Sequence, residues 1–577
     1  MSEKRKRAIL DETCRSKTVK RTRHTIAPDL LSPLSDELLV RILSFLPLQD
    51  LLNISPVSDR FYHLAGDSQI WKRLYYSRFV LPRALRLPGF RDGSVRDGKL
   101  HYSSRRTIWA DGRKGGWVDM RSREDGDRCN WKRQYKLRHN WAKGKCAVEE
   151  LQLGNDAESA RPIRSPKVLV KVLEGIAVTA DPVTGLRAWD LKTRQLLAQV
   201  LIGEEAPSCI ALDDQNLKDG ALGVALGFTD GSFGTWELNI EKKQITRIYR
   251  HEKSSNGEIV GISFSYPYML TATSSVLISL YTFESHSVPV QPDHDPGGRG
   301  ETERKNPKTS RAGHLRGPDP ATSTGSGSTR EDGLKEIPAK KGDGGLSAPY
   351  LLTSLKSHTA RAPLALSLRR ISGSTIASIA YTFSTMRGWS LGIQELHIRP
   401  SRSKLDSRPD IITTQLAYSL PVEETPIRRR RESPVTETYA SGDGPTSLSY
   451  THPYLLATLP DNTLVLHLCT SSSSSLSITP GIRLWGHTSG ISDAEITARG
   501  KAVSVSCRGE EIRVWELEGR TNGNSSIEVR PTAKDIDILA KDQWDHRRNW
   551  VGFDDEMVIV LKESNEGKES LLVYDFT

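Results

Sequence analysis

Two hydrophobic rhythms divide the chain. Residues 31–52 read "LSPLSDELLVRILSFLPLQDLL", and Leu38, Leu39, Ile42, Leu43 and Leu46 recur at the three- and four-residue spacing of one helix face. Ser35 stands where a cap belongs, and Asp36 and Glu37 fill a first turn that favours negative charge. Pro47 predicts the stop. Ser55–Pro56 predicts a second start, with proline at the first helical position, then a stripe of Val57, Phe61 and Leu64 and a stop at Gly66. Asp67 opens a third helix with Ile70, Trp71 and Leu74 inward. Three short helices in residues 30–79 bury little, so the unit is marginal alone and its leftover apolar face invites a partner.

From residue 146 the period shortens to that of strands. Phrases of one shape recur, each a strand pair closing on an aromatic residue or its equivalent: Trp189, Trp236, Tyr281, Glu395, His467, Trp515 and Tyr574. The uninterrupted intervals, 47, 45 and 48 residues, match the period of four-stranded propeller blades. Seven phrases imply seven blades. The longer intervals hold insertions at about 288–348 and 399–445, rich in Gly, Pro, Ser and charge and expected to be disordered. "KCAVEELQL" (145–153) is expected to close the ring as the missing strand of the last blade, beside the C-terminal "LLVYDF". The predicted fold class is thus α+β multidomain: a small all-α module, then an all-β propeller over 146–577.

Charge adds two segments to this map. Net charge is +11 over 577 residues; residues 1–30 contribute +5 and residues 82–145 contribute +11. Residues 1–29 read as a disordered basic arm whose "KRKR" and "KRTR" clusters have the spacing of a bipartite nuclear import signal, or form a solvated tail. Residues 80–145 read as an irregular basic connector carrying Trp109, Trp117, Trp131 and Trp141. Arg428–Arg431 form another basic cluster, flanked by Thr425–Pro426 and Ser433–Pro434, which have the form of proline-directed phosphosites. Six scattered cysteines without metal-ligand spacing fit reduced thiols in an intracellular protein, nuclear or cytoplasmic. No apolar run approaches the roughly 20 residues that span a bilayer, and nothing at the start reads as a secretory signal.

The helical segment resembles an F-box. Leu34, Glu37, Ile42, Leu43, Leu46, Pro47, Asp50, Leu51, Val57, Phe61, Ile70 and Trp71 follow that family's pattern, with Ser35, Ser58 and Phe61 in place of its proline, cysteine and tryptophan. The strand phrases resemble a degenerate WD-repeat propeller. Its best-kept unit carries Gly486, His487, Ser506 and Trp515; Trp189–Asp190 repeats the Trp-Asp pair, and Gly509 stands where the turn aspartate belongs. The combination resembles F-box/WD-repeat substrate receptors of SCF-type cullin–RING ubiquitin ligases. That resemblance implies a Skp-type adaptor and a cullin as partners and a protein substrate, phosphorylated or not. It assigns adaptor docking to Leu34, Leu38, Ile42, Leu43, Leu46, Pro47, Leu51, Leu52, Val57 and Trp71, and structural roles to Trp189, Trp236, His487, Ser506 and Trp515.

The chemistry of an enzyme is not legible. There is no nucleophile elbow, phosphate loop, zinc-protease motif or RING cysteine pattern, so no catalytic residue, cofactor or metal is expected. The alternative is a nucleic-acid-associated or scaffold propeller in which the basic, Trp-interleaved connector meets phosphates and stacks bases while the F-box is incidental. Arg187 and Arg513 are candidates for phosphate contacts on a substrate.

Overall fold

The computed structural model describes residues 30–84, 130–153, 168–284, 348–421, 444–517, 526–531 and 550–577, apart from 32, 358–359, 372–373, 386–387, 400–409, 473, 499, 508, 510 and 564–568. The N-terminal arm with its basic clusters, Trp109, Trp117, nearly all of 288–348, Thr425, Ser433 and Arg428–Arg431 lie outside the described residues. The chain divides into two compact units, 1–136 and 137–577.

The first unit is helical: α1 (Asp36–Leu43), α2 (Leu48–Ile54), α3 (Asp59–Ala65) and α4 (Ser68–Tyr75). The pattern predicts three helices, and the extra one follows from the prolines. Pro47 does not stop α1, which ends at Leu43; it sits at the N-cap of α2, where its missing N–H costs nothing. Pro56 lies in a 3-10 turn, Ser55–Val57, and the cap of α3 is Ser58, whose Oγ accepts the Phe61 N–H at 3.2 Å. Asp67 caps α4 as expected, accepting the Gln69 N–H at 2.8 Å. Ser35 makes no side-chain cap bond.

Leu43, Leu51, Ala65, Ile70, Trp71, Tyr75 and Val80 form the core of this unit, and Tyr135 completes it. Trp71 donates Nε1 to the Ala65 carbonyl at 2.7 Å, and its ring meets Tyr135 edge-on at 5.4 Å. Tyr135 belongs to a helix, Trp131–Lys143, in a stretch expected to be irregular. Its start is signalled by Asn130, whose Oδ1 accepts the Arg133 N–H at 3.1 Å. Trp131 and Tyr135 form one i, i+4 pair, inside the first unit; Leu137 and Trp141 form another, inside the second. The basic residues between them mask the two stripes in a reading by composition.

The second unit is a propeller of seven antiparallel blades. The first blade runs Leu169–Leu173, Ile176–Asp181, Gly185–Asp190 and Gln195–Val200, and the next five repeat that order. All seven closing residues fall in the third strand of a blade and oppose the second: Trp189 faces Ala177, Trp236 Val224, Tyr281 Met269, Glu395 Ser378, His467 Leu455, Trp515 Ala502 and Tyr574 Val558. The seventh blade is shared between chain ends, because Lys145–Gln152 pairs antiparallel with Glu569–Asp575, Val148 opposite Tyr574.

Two blades depart from the expected pattern. Asp410–Tyr418, inside the expected insertion 399–445, is the outer strand of the fourth blade, pairing Gln415 with Glu395. Thr414, Leu416 and Tyr418 face solvent while Ala417 is buried; its polar Thr and Gln residues disguise the alternation. In the fifth blade the outer strand is broken into Leu476–Ile478 and Ile482–Leu484, both paired with Leu464–Ser471. Pro480 sits in the break, where it has no N–H to give a ladder.

Candidate functional site

The F-box-like helices carry more apolar surface than their own core can take. On α1, Leu39 and Leu43 point inward, while Leu38 and Ile42 stand exposed on the adjoining stripe and Phe45 continues it. Leu52 and Val57 add to the exposed set, with Val57 the most open at 68%. Pro47 is exposed, and Leu34 and Leu46 are half-buried. Leu43, Leu51 and Trp71, assigned to docking by the resemblance, are instead interior, 1–4% exposed. They build the module and offer a partner no surface. The family pattern mixes the two groups because it records apolar identity and not the side each residue faces.

Phe45 escapes the motif reading. It is exposed, and its ring lies 5.0 Å from the Arg41 guanidinium and 5.5 Å from that of Arg73. Its signal is nonetheless present, since 38, 42 and 45 follow i, i+4, i+7 beside the core stripe.

In the propeller, the expected structural residues are only partly the ones used. Trp515 donates Nε1 to Ser504 Oγ at 2.8 Å, and His487 Nε2 meets the same oxygen at 2.6 Å. Ser506, the expected partner, instead accepts the Glu511 N–H at 3.1 Å. Strands alternate faces, so Ser504 shares a face with Ala502, which opposes Trp515, and a diagonal reach completes the bond. Glu511 does the work expected of the missing turn aspartate: its Oε2 accepts the Thr488 N–H at 3.0 Å and lies 3.4 Å from His487 Nδ1. Burial pushes the imidazole down to about 4, so it is neutral at pH 7. Desolvation raises the Glu511 carboxyl, but hydrogen bonds from Thr488 and Arg513 outweigh it and the net shift is downward.

The first blade repeats the arrangement in part, with Trp189 Nε1 donating to Thr179 Oγ1 at 3.2 Å. Trp236 is buried between the first two blades without such a polar role among the described bonds. In the fourth blade Glu395 replaces the tryptophan. It is fully buried, 2.8 Å from Arg369 and accepting from Ser378 (3.2 Å), Tyr450 (3.3 Å) and Ser471 (2.5 Å). A carboxylate survives there because a guanidinium and three hydroxyls compensate its lost hydration.

The first strands of the blades line a polar channel of about 360 Å³, with Lys171, Asp213, Asp214, Ser263, Ser265, Ser367, Ser449, Tyr450, Thr451 and Glu495 on its wall. Lys171 pairs with Glu495 at 3.1 Å. Neither arginine proposed for phosphate binding is available. Arg187 is 3% exposed, donating to the Leu153 carbonyl and paired with Asp181 at 3.3 Å; Arg513 is held by Glu511 at 2.5 Å and by Ser526 at 2.8 Å. Among the described residues no group of three or more His, Cys, Asp or Glu could hold a metal, and no helix is long and apolar enough to cross a membrane.

A small helical module with an unburied apolar stripe, followed by a seven-bladed propeller, defines an F-box–propeller protein. The F-box-like family model matches residues 36–77, and that of the F-box protein pof12 beta-propeller matches residues 146–577. The chain belongs to the F-box protein pof12 beta-propeller family. No curated protein matches it. Similar solved structures include the Cps50 (Swd1) beta-propeller domain of Myceliophteria thermophila, at 10% identity and TM-score 0.37 over 74% of this chain and 100% of that one. U3-55K is similar at 9% identity and TM-score 0.37, over 74% of this chain and 98% of that one.

Proposed function

We propose that this protein is the substrate-recognition subunit of an SCF-type ubiquitin ligase, with no catalytic centre of its own. The F-box docks a Skp-type adaptor, which joins it to a cullin; the propeller holds a protein substrate, and catalysis is proximity between a substrate lysine and a charged conjugating enzyme. The observation that carries the reading is the exposed set Leu38, Ile42, Phe45, Leu52 and Val57 on a module whose interior is already complete without them. Burying each in an interface contributes about 1.5–3 kcal/mol before the costs of association, so a few suffice for a specific complex.

The nucleic-acid alternative gains nothing from the described aromatics. Trp131 and Trp141 are packed in protein cores, where they cannot stack on bases. Recognition of a phosphorylated substrate by Arg187 or Arg513 is likewise disfavoured by their existing partners. The test is co-expression of the full chain with adaptor and cullin: the three co-purify from the wild type, and Ile42→Asp releases the receptor. A wild-type receptor that never recruits the adaptor under gentle lysis would overturn the reading.

A further inference from the structure

We infer that Arg60 is a positioning residue of the docking face, an inference that rests on the adaptor reading above. The docking residues come from two stretches that are not neighbours in sequence. Leu34 and Leu38 flank the start of α1, whereas Val57 lies two residues before α3. The α1 start is weakly held by local structure: Ser35 has extended backbone (φ −67°, ψ 157°) and no side-chain cap bond, and the preceding turn is closed by the Leu34 N–H to Leu31 carbonyl bond at 3.1 Å.

Arg60, in α3, supplies the missing restraint. Its Nη2 donates to the Leu34 carbonyl at 2.6 Å and to Asp36 Oδ1 at 2.7 Å, while Nε reaches the same oxygen at 2.9 Å. One planar fork thus ties the backbone of a docking residue and the first residue of α1 to the helix that follows Val57. A lysine, a point charge on a flexible stem, cannot hold both acceptors in that geometry. Fixing Leu34 and Leu38 relative to Val57 before binding removes an ordering cost from the complex.

The experiment measures affinity of the full chain for a purified Skp-type adaptor at a temperature far below melting, with circular dichroism as the check on folding. There the folded fraction is near one, so lost stability alone does not weaken binding. Arg60→Ala is expected to weaken binding about tenfold, the scale of a lost charge-assisted bond pair. Arg60→Lys falls between Arg60→Ala and wild type, and Asp36→Ala, which removes only the carboxylate arm, costs less than Arg60→Ala. If Arg60→Ala binds within about twofold of wild type while Ile42→Asp does not bind, the positioning role is overturned and the adaptor reading stands. If Ile42→Asp binds like wild type, the adaptor reading itself fails and takes this inference with it. If Arg60→Ala does not fold, Arg60→Lys and Asp36→Ala decide, and wild-type affinity in both overturns the role.

Discussion

Glu511 reaches across a blade edge to His487, its Oε2 at 3.4 Å from Nδ1 and bonded to the Thr488 N–H at 3.0 Å. The angle at Nδ1 is too poor for a hydrogen bond, so the carboxylate acts on the imidazole by charge while it clamps the neighbouring backbone. The other imidazole nitrogen and the Trp515 indole converge on Ser504. Ser504→Ala leaves two buried nitrogens unpaired and is expected to lower propeller stability by about 1–3 kcal/mol. Ser506→Ala removes a single bond to backbone, and about 1 kcal/mol is expected. Urea denaturation of the two variants distinguishes them; equal losses would show that Ser504 is not the hub.

This blade also shows what sequence can and cannot supply. Trp515 and His487 were legible because a large aromatic at a fixed interval and a Gly-His pair are rare and positional. Ser504 and Ser506 both lie in "SVSC", differ by one strand period, and share a face. Only the reach of the indole and imidazole selects between them. Glu511 was invisible because it stands two residues beyond Gly509, where the aspartate was sought. The same limit governs the helical module. Its helical character and apolar stripe were plain, yet Leu43 and Ile42 are adjacent leucine-like residues with opposite fates, one 2% and the other 46% exposed.

The two fates give a second prediction. Leu43→Asp puts a charge into the F-box core and is expected to unfold the module, costing several kcal/mol. Ile42→Asp and Val57→Asp, on exposed positions, are expected to change its stability by under about 0.5 kcal/mol. Proteolysis of the N-terminal unit reads this directly, since only Leu43→Asp should open it to cleavage.

The propeller should depend on residues ahead of its first strand. Trp141 is 1% exposed, stacks on Phe576 at 3.8 Å, donates to the Asp555 carbonyl at 2.9 Å and lies 3.3 Å beneath Lys501 Nζ. Asn140 adds a bond to the Phe576 carbonyl at 2.8 Å. Trp141→Ala is expected to destabilise the propeller by about 3–5 kcal/mol. A chain beginning at 146 should melt lower than one beginning at 137, and equal melting temperatures would count against this role.

Asp493 supplies a pH dependence. It sits beside the Lys171–Glu495 pair and accepts the Val551 N–H at 3.4 Å. Burial, then the charge of Glu495, pushes its carboxyl up to about 6. Between the ordinary carboxylate range and pH 6 the folded state therefore binds more protons than the unfolded one, and this group's contribution to stability falls as pH rises through that window. Asp493→Asn removes the cost of ionisation at pH 7.5 but also some attraction on Lys171, so a net gain of about 1 kcal/mol is expected there and less at pH 5. Melting curves at the two pH values check the sign; a gain larger at pH 5 would refute it.

The central claim is that the exposed apolar stripe is a protein-docking face. The most direct measurement is the affinity of the full-length protein for a purified Skp-type adaptor, wild type against Ile42→Asp, with propeller melting recorded for both. Binding to the wild type, loss in Ile42→Asp and unchanged melting are predicted. Failure of the wild type to bind, or equal binding by the variant, would contradict the account.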